Sequence, residues 1–399
     1  MGRLTDLEKE INGEIVELWR HLHRNPELSM EEHRTADHIE NILREKTNVD
    51  RIKRVGKTGL WVELRGTAPH EGEERVVALR GDMDALPIQE KTDLPYRSET
   101  PGIMHACGHD VHTSALLGAV RLLEQYRDRI PGTVWFFFQP GEETLQGALT
   151  FLADPEIDFT KPKAIAGIHV GGNVEAGKIR LRAGPQLASA DMIRFRVIGQ
   201  GGHAASPHTS RDPVVAAAHL IVQLQTLVSR EVKPVDAAAL SLCRIQGGSK
   251  DNIIASDVLI EGTLRALSKE TRSGLQEGIR RICRGLAISL RVDIDFEVVN
   301  GSLPLVSDAG CVKIAETAAK KILGEENVEF SDHAEMGGED FAFFTDKIPG
   351  AFIMIGAKSK NGPEPQMHSP EFYTDESAVR TGILALCGFA LEFFGVDFD

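Results

Sequence analysis

The stretch Met104-His105-Ala106-Cys107-Gly108-His109-Asp110-Val111-His112 brings a thiol, three imidazoles and a carboxylate into one short span. An apolar helical run follows it, through Ala115, Leu116, Leu117, Val120, Leu122 and Leu123. Gly108 offers a hinge between Cys107 and His109. In extended chain, residues i and i+2 share a face, so both side chains are expected to reach one point. Thiolate and imidazole donors brought together suit Zn, Mn, Co or Ni rather than Mg or Ca. The neighbouring sequence decides what fold carries this group and which partners it has.

Downstream, Thr133-Val134-Trp135-Phe136-Phe137-Phe138 is a near-continuous apolar run, the pattern of a strand buried on both faces. Residues 164–168 form another such run and end in His169. Upstream, 59–64 and 75–79 read as strands, the second leading into Arg80-Gly81-Asp82-Met83-Asp84. Helical spacing of Ile11, Ile15, Leu18, Trp19 and Leu22 predicts a helix over 11–24, which Asn25-Pro26 ends. A second helix is expected over 31–45, with Ser29 placed to cap it. Strands alternating with helices predict an α/β fold, a mixed sheet covered by helices, with functional groups just past strand C-termini.

The pattern then changes. Strands are expected at 193–197, 238–245, 258–266 and 292–298, and amphipathic helices at 213–228 and 269–286. That β-α-β-β-α-β order makes a complete small α+β domain. Beyond Asn300 the α/β pattern returns, with a helix at 309–322, a strand at 351–355 and a terminal helix from Glu376. The expected organisation is a larger domain, 1–180 and 298–399, interrupted by an inserted domain over 181–297.

A chain of 399 residues accommodates two domains. The net charge of -14 argues against nucleic acid or an anionic membrane as a main partner. The apolar runs 134–138 and 385–394 read as too short or too interrupted to span a bilayer. Met1-Gly2-Arg3-Leu4-Thr5-Asp6-Leu7-Glu8 is charged at once and has no apolar export core, so a cytoplasmic location is expected. Cys107, Cys243, Cys283, Cys311 and Cys387 show no paired spacing and read as reduced thiols, all but Cys107 in the core.

Several residues could complete a centre around Cys107 and His109. Glu142 and Glu143 follow an aromatic strand on a Pro140-Gly141 turn, where one carboxylate can face a metal and its neighbour a water. The plainer reading is a solvated acidic pair. His169 and His368 each fit a ligand or a structural histidine. Asp82 and Asp84 share a face across Met83; a carboxylate beside a ligating imidazole orients it and raises its basicity, though turn aspartates are also common. In the inserted domain, Gly199-Gln200-Gly201-Gly202-His203 is too irregular for a dinucleotide fingerprint and suits a turn presenting one proton donor. Asn252 and Arg265, on later strands, could hold a carboxylate, or be ordinary surface. A serine-hydrolase elbow, a Walker loop and a His-Glu-x-x-His helix are all missing from the sequence.

Taken together, Arg24-Asn25-Pro26-Glu27-Leu28-Ser29, residues 80–87, 104–112, 139–143, 167–170 and 199–208, Gly262-Thr263-Leu264-Arg265 and Gly338-Glu339-Asp340-Phe341 resemble the M20 metallopeptidase family. The similarity is to its amidohydrolase branch, the hydrolases of N-acyl amino acids, hippurate and auxin conjugates, and it covers essentially the whole chain. The resemblance implies a zinc-peptidase-like catalytic domain and a lid and dimerisation domain at 181–297. It implies two divalent metal ions held by Cys107, His109, Glu143, His169 and His368, with Cys107 bridging and Glu142 as general base. A histidine takes the place of Asp82 in other branches, so Asp82 is expected not to ligate and Asp84 to orient a ligand. His203 would stabilise the oxyanion in the partner subunit's site, making a homodimer, with a tetramer as the larger alternative; Asn252 and Arg265 would seat the substrate carboxylate. The implied substrate is a small N-acyl amino acid, or a short peptide if the chain is a dipeptidase or carboxypeptidase. A non-catalytic metal- or amino-acid-binding protein is the third reading. One departure is Val170-Gly171-Gly172-Asn173, where the branch has a proline after the histidine.

Overall fold

The structure, a computed structural model, describes residues 3–70, 72–360 and 362–398, so Met1 and Gly2 of the N-terminal reading lie outside the described residues. The chain forms two units: Met1–Gly184, Val306–His333 and Asp340–Asp399 make the first, Pro185–Leu305 and Ala334–Glu339 the second.

Unit one begins with α1 (Arg3–Arg24) and α2 (His33–Lys46), then β1 (Arg51–Val55), β2 (Gly59–Arg65) and β3 (Arg75–Asp82). Next come α3 (His109–Glu124), β4 (Gly132–Gln139), α4 (Gly147–Leu152), β5 (Pro162–Glu175) and β6 (Ile179–Leu181). Two short strands, β7 (Gly184–Leu187) and β14 (Leu305–Ser307), mark where the chain passes from one unit to the other. Unit one resumes with α7 (Ala309–Leu323), β15 (Val328–Phe330), α8 (Ala342–Thr345), β16 (Gly350–Lys358) and α9 (Ser377–Phe394). Its sheet runs β1-β2-β4-β3-β5-β16-β6-β15. The centre is parallel, β4-β3-β5-β16, and antiparallel pairs flank it, so the sheet is mixed as expected.

Every residue of β4 is buried, which explains its unbroken apolar run. Helices α3 and α9 are buried along nearly their whole length for the same reason. By length and composition α9 could cross a membrane, contrary to the reading of 385–394, but here it is a core helix. The parallel arrangement brings Asp82 and Gln139, the last residues of β3 and β4, to one edge, and His169 lies level with them inside β5, which runs on to Glu175 instead of ending at the histidine.

Two local expectations change. His33 opens α2 without a side-chain cap; Ser29 instead donates to Asp84. Cys107 and His109 do not share an extended segment, because Gly108 adopts φ 81° and His109 is already the first residue of α3. A Cβ at Gly108 would also stand 2.5 Å from the Val170 side chain, so that position needs glycine twice over.

Unit two carries β8 (Ser189–Ile198), β9 (Gly202–His203), α5 (Pro213–Thr226), β10 (Ala238–Gly247), β11 (Ile253–Ile254), β12 (Asp257–Ala266), α6 (Lys269–Leu290) and β13 (Asp293–Gly301). Its four-stranded sheet, β10-β12-β8-β13, is antiparallel throughout. Ile193, Phe195 and Val197 alternate inward along β8 and pack with Leu220 and Leu224 of α5 and Ile279 of α6. Both helices are capped, by Asp212 on Val214 and Val215 N–H and by Ser268 on Thr271 N–H. The segment Ala334–Glu339 joins this unit through backbone bonds of Glu335 with Gln186 and Ala188, a long-range pairing that no local periodicity signals. Cys243 is exposed rather than core. It lies on the edge strand β10 at the bulge between Leu242 and Arg244.

Candidate metal centre

The centre lies wholly in unit one. Each histidine's tautomer follows from what faces it, because a carbonyl can only accept and a backbone N–H can only donate. His169 Nδ1 lies 2.8 Å from the Val170 carbonyl and must donate to it, which turns Nε2 toward Cys107 Sγ, 3.5 Å away. His109 Nδ1 donates to Asp84 Oδ1 at 3.1 Å. Its Nε2 is buried with no hydrogen-bond partner, facing Asp82 Oδ2 at 3.8 Å, Glu142 Oε2 at 4.0 Å and Glu143 Oε1 at 4.0 Å. Glu143 Oε1 is likewise buried without a hydrogen bond, 3.4 Å from His368 Nε2.

Cys107, His109 and His169 offer three mutually close donors, and Cys107, Glu143 and His368 a second set that shares the thiol. Within each set the donor atoms lie within 4.8 Å of one another, close to the spacing of roughly 3–4.6 Å that donors bonded to one ion at about 2.0–2.3 Å keep. Two orphaned, buried donor atoms and a set of N, S and O ligands fit divalent transition metals. The protonation pattern agrees. Burial would raise the Cys107 thiol, but the neighbouring His169 and His109 charges pull it down to about 6. The Cys107 thiolate and the Glu143 carboxylate beside it raise His368 to about 10. Against burial, Asp82, Cys107 and Asp84 raise His109 well above its ordinary value. The pocket therefore asks for positive charge.

His368 reaches this point from a left-handed backbone, φ 60°, unusual for a residue with a Cβ. Its N–H donates to the Ala106 carbonyl at 2.8 Å, which ties it to the Cys107 loop. Two buried carboxylates hold the Glu142–Glu143 turn. Asp84 Oδ1 accepts from Glu142 N–H at 3.1 Å, and Oδ2 from Glu143 N–H at 3.0 Å and from Ser29 Oγ at 2.6 Å. Glu32 Oε1 accepts from Gly141 N–H at 2.8 Å, and Oε2 from Thr58 Oγ1 at 2.7 Å. Sequence reasoning missed the roles of Ser29 and Glu32: Ser29 reads as a helix cap, and nothing local marks Glu32.

Asp82 lies behind the donors, bound to Arg80 Nη1 at 2.6 Å and His112 Nδ1 at 2.6 Å. Burial opposes its charge, but Arg80 above all holds it well below the usual carboxylate range. His112 is close enough to group with Asp82 and His109, yet its Nε2 accepts from Val170 N–H at 2.8 Å. Both of its ring nitrogens are engaged.

In unit two, His203 is exposed, and its Nδ1 accepts from Ala205 N–H at 3.0 Å, leaving Nε2 as the outward donor when the ring is neutral. Asn252 is its neighbour, through its carbonyl to Ala204 N–H. Arg265 is half-buried and pairs in register with Ala190, at the far end of β12 from Asp257, a span of roughly 25 Å of extended chain. Within unit two, then, Asn252 sits beside His203 but Arg265 does not.

Known proteins resemble the chain over nearly its whole length. Residues 78–392 match the family described as peptidase family M20/M25/M40. The N-acetyl-L-cysteine deacetylase of Bacillus subtilis (strain 168) is 38% identical over 377 residues, covering 94% of this chain and 86% of that one. The N-acetyldiaminopimelate deacetylase of Lactobacillus helveticus (strain DPC 4571) is 33% identical over 390 residues, covering 96% and 98%. Among solved structures, the Bacillus subtilis YXEP protein, described as a dinuclear metal-binding peptidase of the M20 family, superposes with a TM-score of 0.81 at 33% identity, covering 98% of this chain and 100% of that one. The chain belongs to the M20 family and is a hydrolase.

Proposed function

We propose that this protein hydrolyses the amide bond of N-acyl amino acids, releasing a carboxylic acid and a free amino acid. The observation that carries this reading is Asp84, whose one carboxylate orients the donor His109 and grips the backbone of both Glu142 and Glu143. That arrangement couples a metal site to an adjacent base, for which a binding protein has no use. Cys107, His109, Glu143, His169 and His368 would hold two divalent ions, Zn, Mn, Co or Ni, which when bound supply the Lewis acidity that polarises the amide carbonyl and acidifies water. Glu142 takes the water's proton and passes it to the leaving nitrogen. His203 is proposed as the donor to the developing oxyanion, a kind of contact worth about 3–4 kcal/mol. Asn252 and Arg265 are proposed partners of the substrate carboxylate. No ion pair of Arg265 stands among the described residues, although Asp191 lies close enough to act on its charge.

A homodimer through unit two accompanies this reading. The edge strand β10 is open on one side, and α5 exposes Val214, Val215 and Val222 on its outer face. A centre that needs a reduced Cys107 suits the cytoplasm.

The test is release of free amino acid from N-acetyl, N-benzoyl and indoleacetyl amino acids and from dipeptides. N-acetylcysteine and N-acetyldiaminopimelate belong in the panel because relatives are named for them. The assay is run after chelation and again with each metal restored. Metal-restored hydrolysis of acyl substrates over dipeptides supports the proposal. Preference for dipeptides moves the assignment to a peptidase, and silence across the panel with two metals bound moves it to a binding protein.

A further inference from the structure

His112 looks like a ligand by residue type, since it follows His109 by one helical turn and their rings lie 5.4 Å apart. Its hydrogen bonds show otherwise. Val170 N–H can only donate, so His112 Nε2 is an acceptor, and the ring proton sits on Nδ1, where it meets Asp82 Oδ1. No lone pair remains for a metal. What His112 holds is the His169–Val170 peptide, by its N–H, while the carbonyl of Val170, on the next peptide, accepts from Nδ1 of the donor His169.

The chain of contacts continues inward. Asp82 Oδ2 meets Arg80 Nη1, Arg80 Nη2 meets Asp340 Oδ1 at 3.1 Å, and Arg80 Nε meets Gln139 Oε1 at 2.8 Å. Gln139 Nε2 closes the loop on Asp340 Oδ1 at 2.6 Å, and Asp340 Oδ2 accepts Ala148 N–H at 2.9 Å. Arg80, Asp82, His112, Gln139 and Asp340 are all fully buried. Ion pairs so deep add little net stability by themselves, which leaves specification of geometry as their use.

We infer that His112 is a positioning residue for the metal centre: anchored by the Asp340–Arg80–Asp82 line, it fixes the backbone at Val170 and through it the orientation of the His169 imidazole. Where His109 turns Nδ1 to the carboxylate of Asp84, His169 turns Nδ1 to a backbone carbonyl. That carbonyl is steady only if the backbone at Val170 is, and His112 holds that residue by its N–H.

The inference rests on the metal-centre reading, and the experiment separates the two. Zinc and cobalt(II) affinities of the apoprotein are measured by chelator competition, with the cobalt visible spectrum, for the wild type, His112→Asn and His112→Gln. Asn keeps a donor near Nδ1 for Asp82 but loses the acceptor for Val170, whereas Gln keeps an acceptor near Nε2. The expected result is two ions in all three proteins, with one bound about 10–100-fold more weakly in His112→Asn. Its cobalt spectrum should change, and Gln should restore much of both. Equal affinity and an unchanged spectrum in a folded His112→Asn overturn the inference, as does loss of one ion together with a nitrogen ligand, which would make His112 a ligand. If His112→Asn does not fold, the comparison of His112→Gln with His112→Phe decides it by the same readouts. A wild type that takes up neither metal fails the metal-centre reading itself.

Discussion

Asp84 and His109 stand 3.1 Å apart, and the carboxylate oxygen that accepts the imidazole N–H also accepts the backbone N–H of Glu142. One buried group thereby sets a donor's direction and a base's position. Burial opposes its charge, but the bond to His109 keeps it ionised, below the ordinary aspartate range. Asp84→Asn removes the charge and turns an amide toward donors that need acceptors. Metal affinity should fall about 10–100-fold. Turnover at saturating metal should fall further, because Glu142 moves as well. Normal turnover once metal is saturating would separate Asp84 from the base.

Glu142→Gln keeps the shape of the side chain and the backbone bond to Asp84. The variant should bind two metals as the wild type does and lose about 10²–10⁴-fold in kcat. Retention of near-normal kcat, measured beside metal content, would remove Glu142 from the base role.

The fold class is legible because burial leaves a direct trace in composition. A strand covered on both faces reads as Val134 through Phe138, and a one-sided sheet reads as the alternation of Ile193, Phe195 and Val197. The cysteine–glycine–histidine stretch is legible because few other uses gather those groups. What the sequence hides is long-range pairing of small polar groups. Glu32 and Gly141 are 109 residues apart, and nothing local says that this glutamate is buried. The non-ligand status of His112 is hidden too, since it depends on a backbone N–H from a strand distant in sequence. Cys243 misleads for a third reason: Leu240 and Leu242 of β10 turn toward the core, which leaves Cys243 on the exposed face despite its apolar neighbours.

The Cys107 thiol is held at about 6, so it is an anion at neutral pH before any metal arrives. The ultraviolet thiolate absorbance of the apoprotein, taken as wild type minus Cys107→Ser, should titrate with a midpoint near pH 6. The other thiols cancel in the difference. A midpoint at the ordinary thiol value would mean that the histidines do not act on Cys107 as their placement implies.

A buried histidine outside the donor set links stability to pH. His23 donates to Asp110 at 2.7 Å and faces Glu90 at 3.4 Å. Burial works against its charge, yet these carboxylates raise it to about 9, from an unfolded value near 6.5. A raised folded-state value means that the contribution is complete below pH 6.5 and is lost as pH climbs through 9. Its size is on the order of 3 kcal/mol. Urea unfolding of the apoprotein at pH 6, 7.5 and 9 should therefore show the wild type losing its advantage over His23→Gln as pH rises. A constant difference between the two proteins would mean that His23 is neutral in the fold.

His203 tests the proposed dimer most directly, because its role and its chain of origin can be separated. His203→Ala should bind both metals and lose roughly 10²–10³-fold in kcat if the side chain holds the oxyanion. Glu142→Gln is inactive for a different reason, in a different unit of the chain. If each site takes its histidine from the partner subunit, a dimer of one variant with the other holds one complete site and one dead one. Random reassortment of an equal mixture makes half the dimers mixed, so about a quarter of wild-type activity should return. Subunits are exchanged in mild denaturant and assayed against each variant reassorted with itself. No recovery, with mixed dimers demonstrated by differently tagged chains, would mean that Glu142 and His203 must come from the same chain or that His203 does not act on the substrate. Introduced charge at Val222 on α5 checks the shared site independently: Val222→Glu would dissociate the dimer and abolish activity only where the partner's histidine is required.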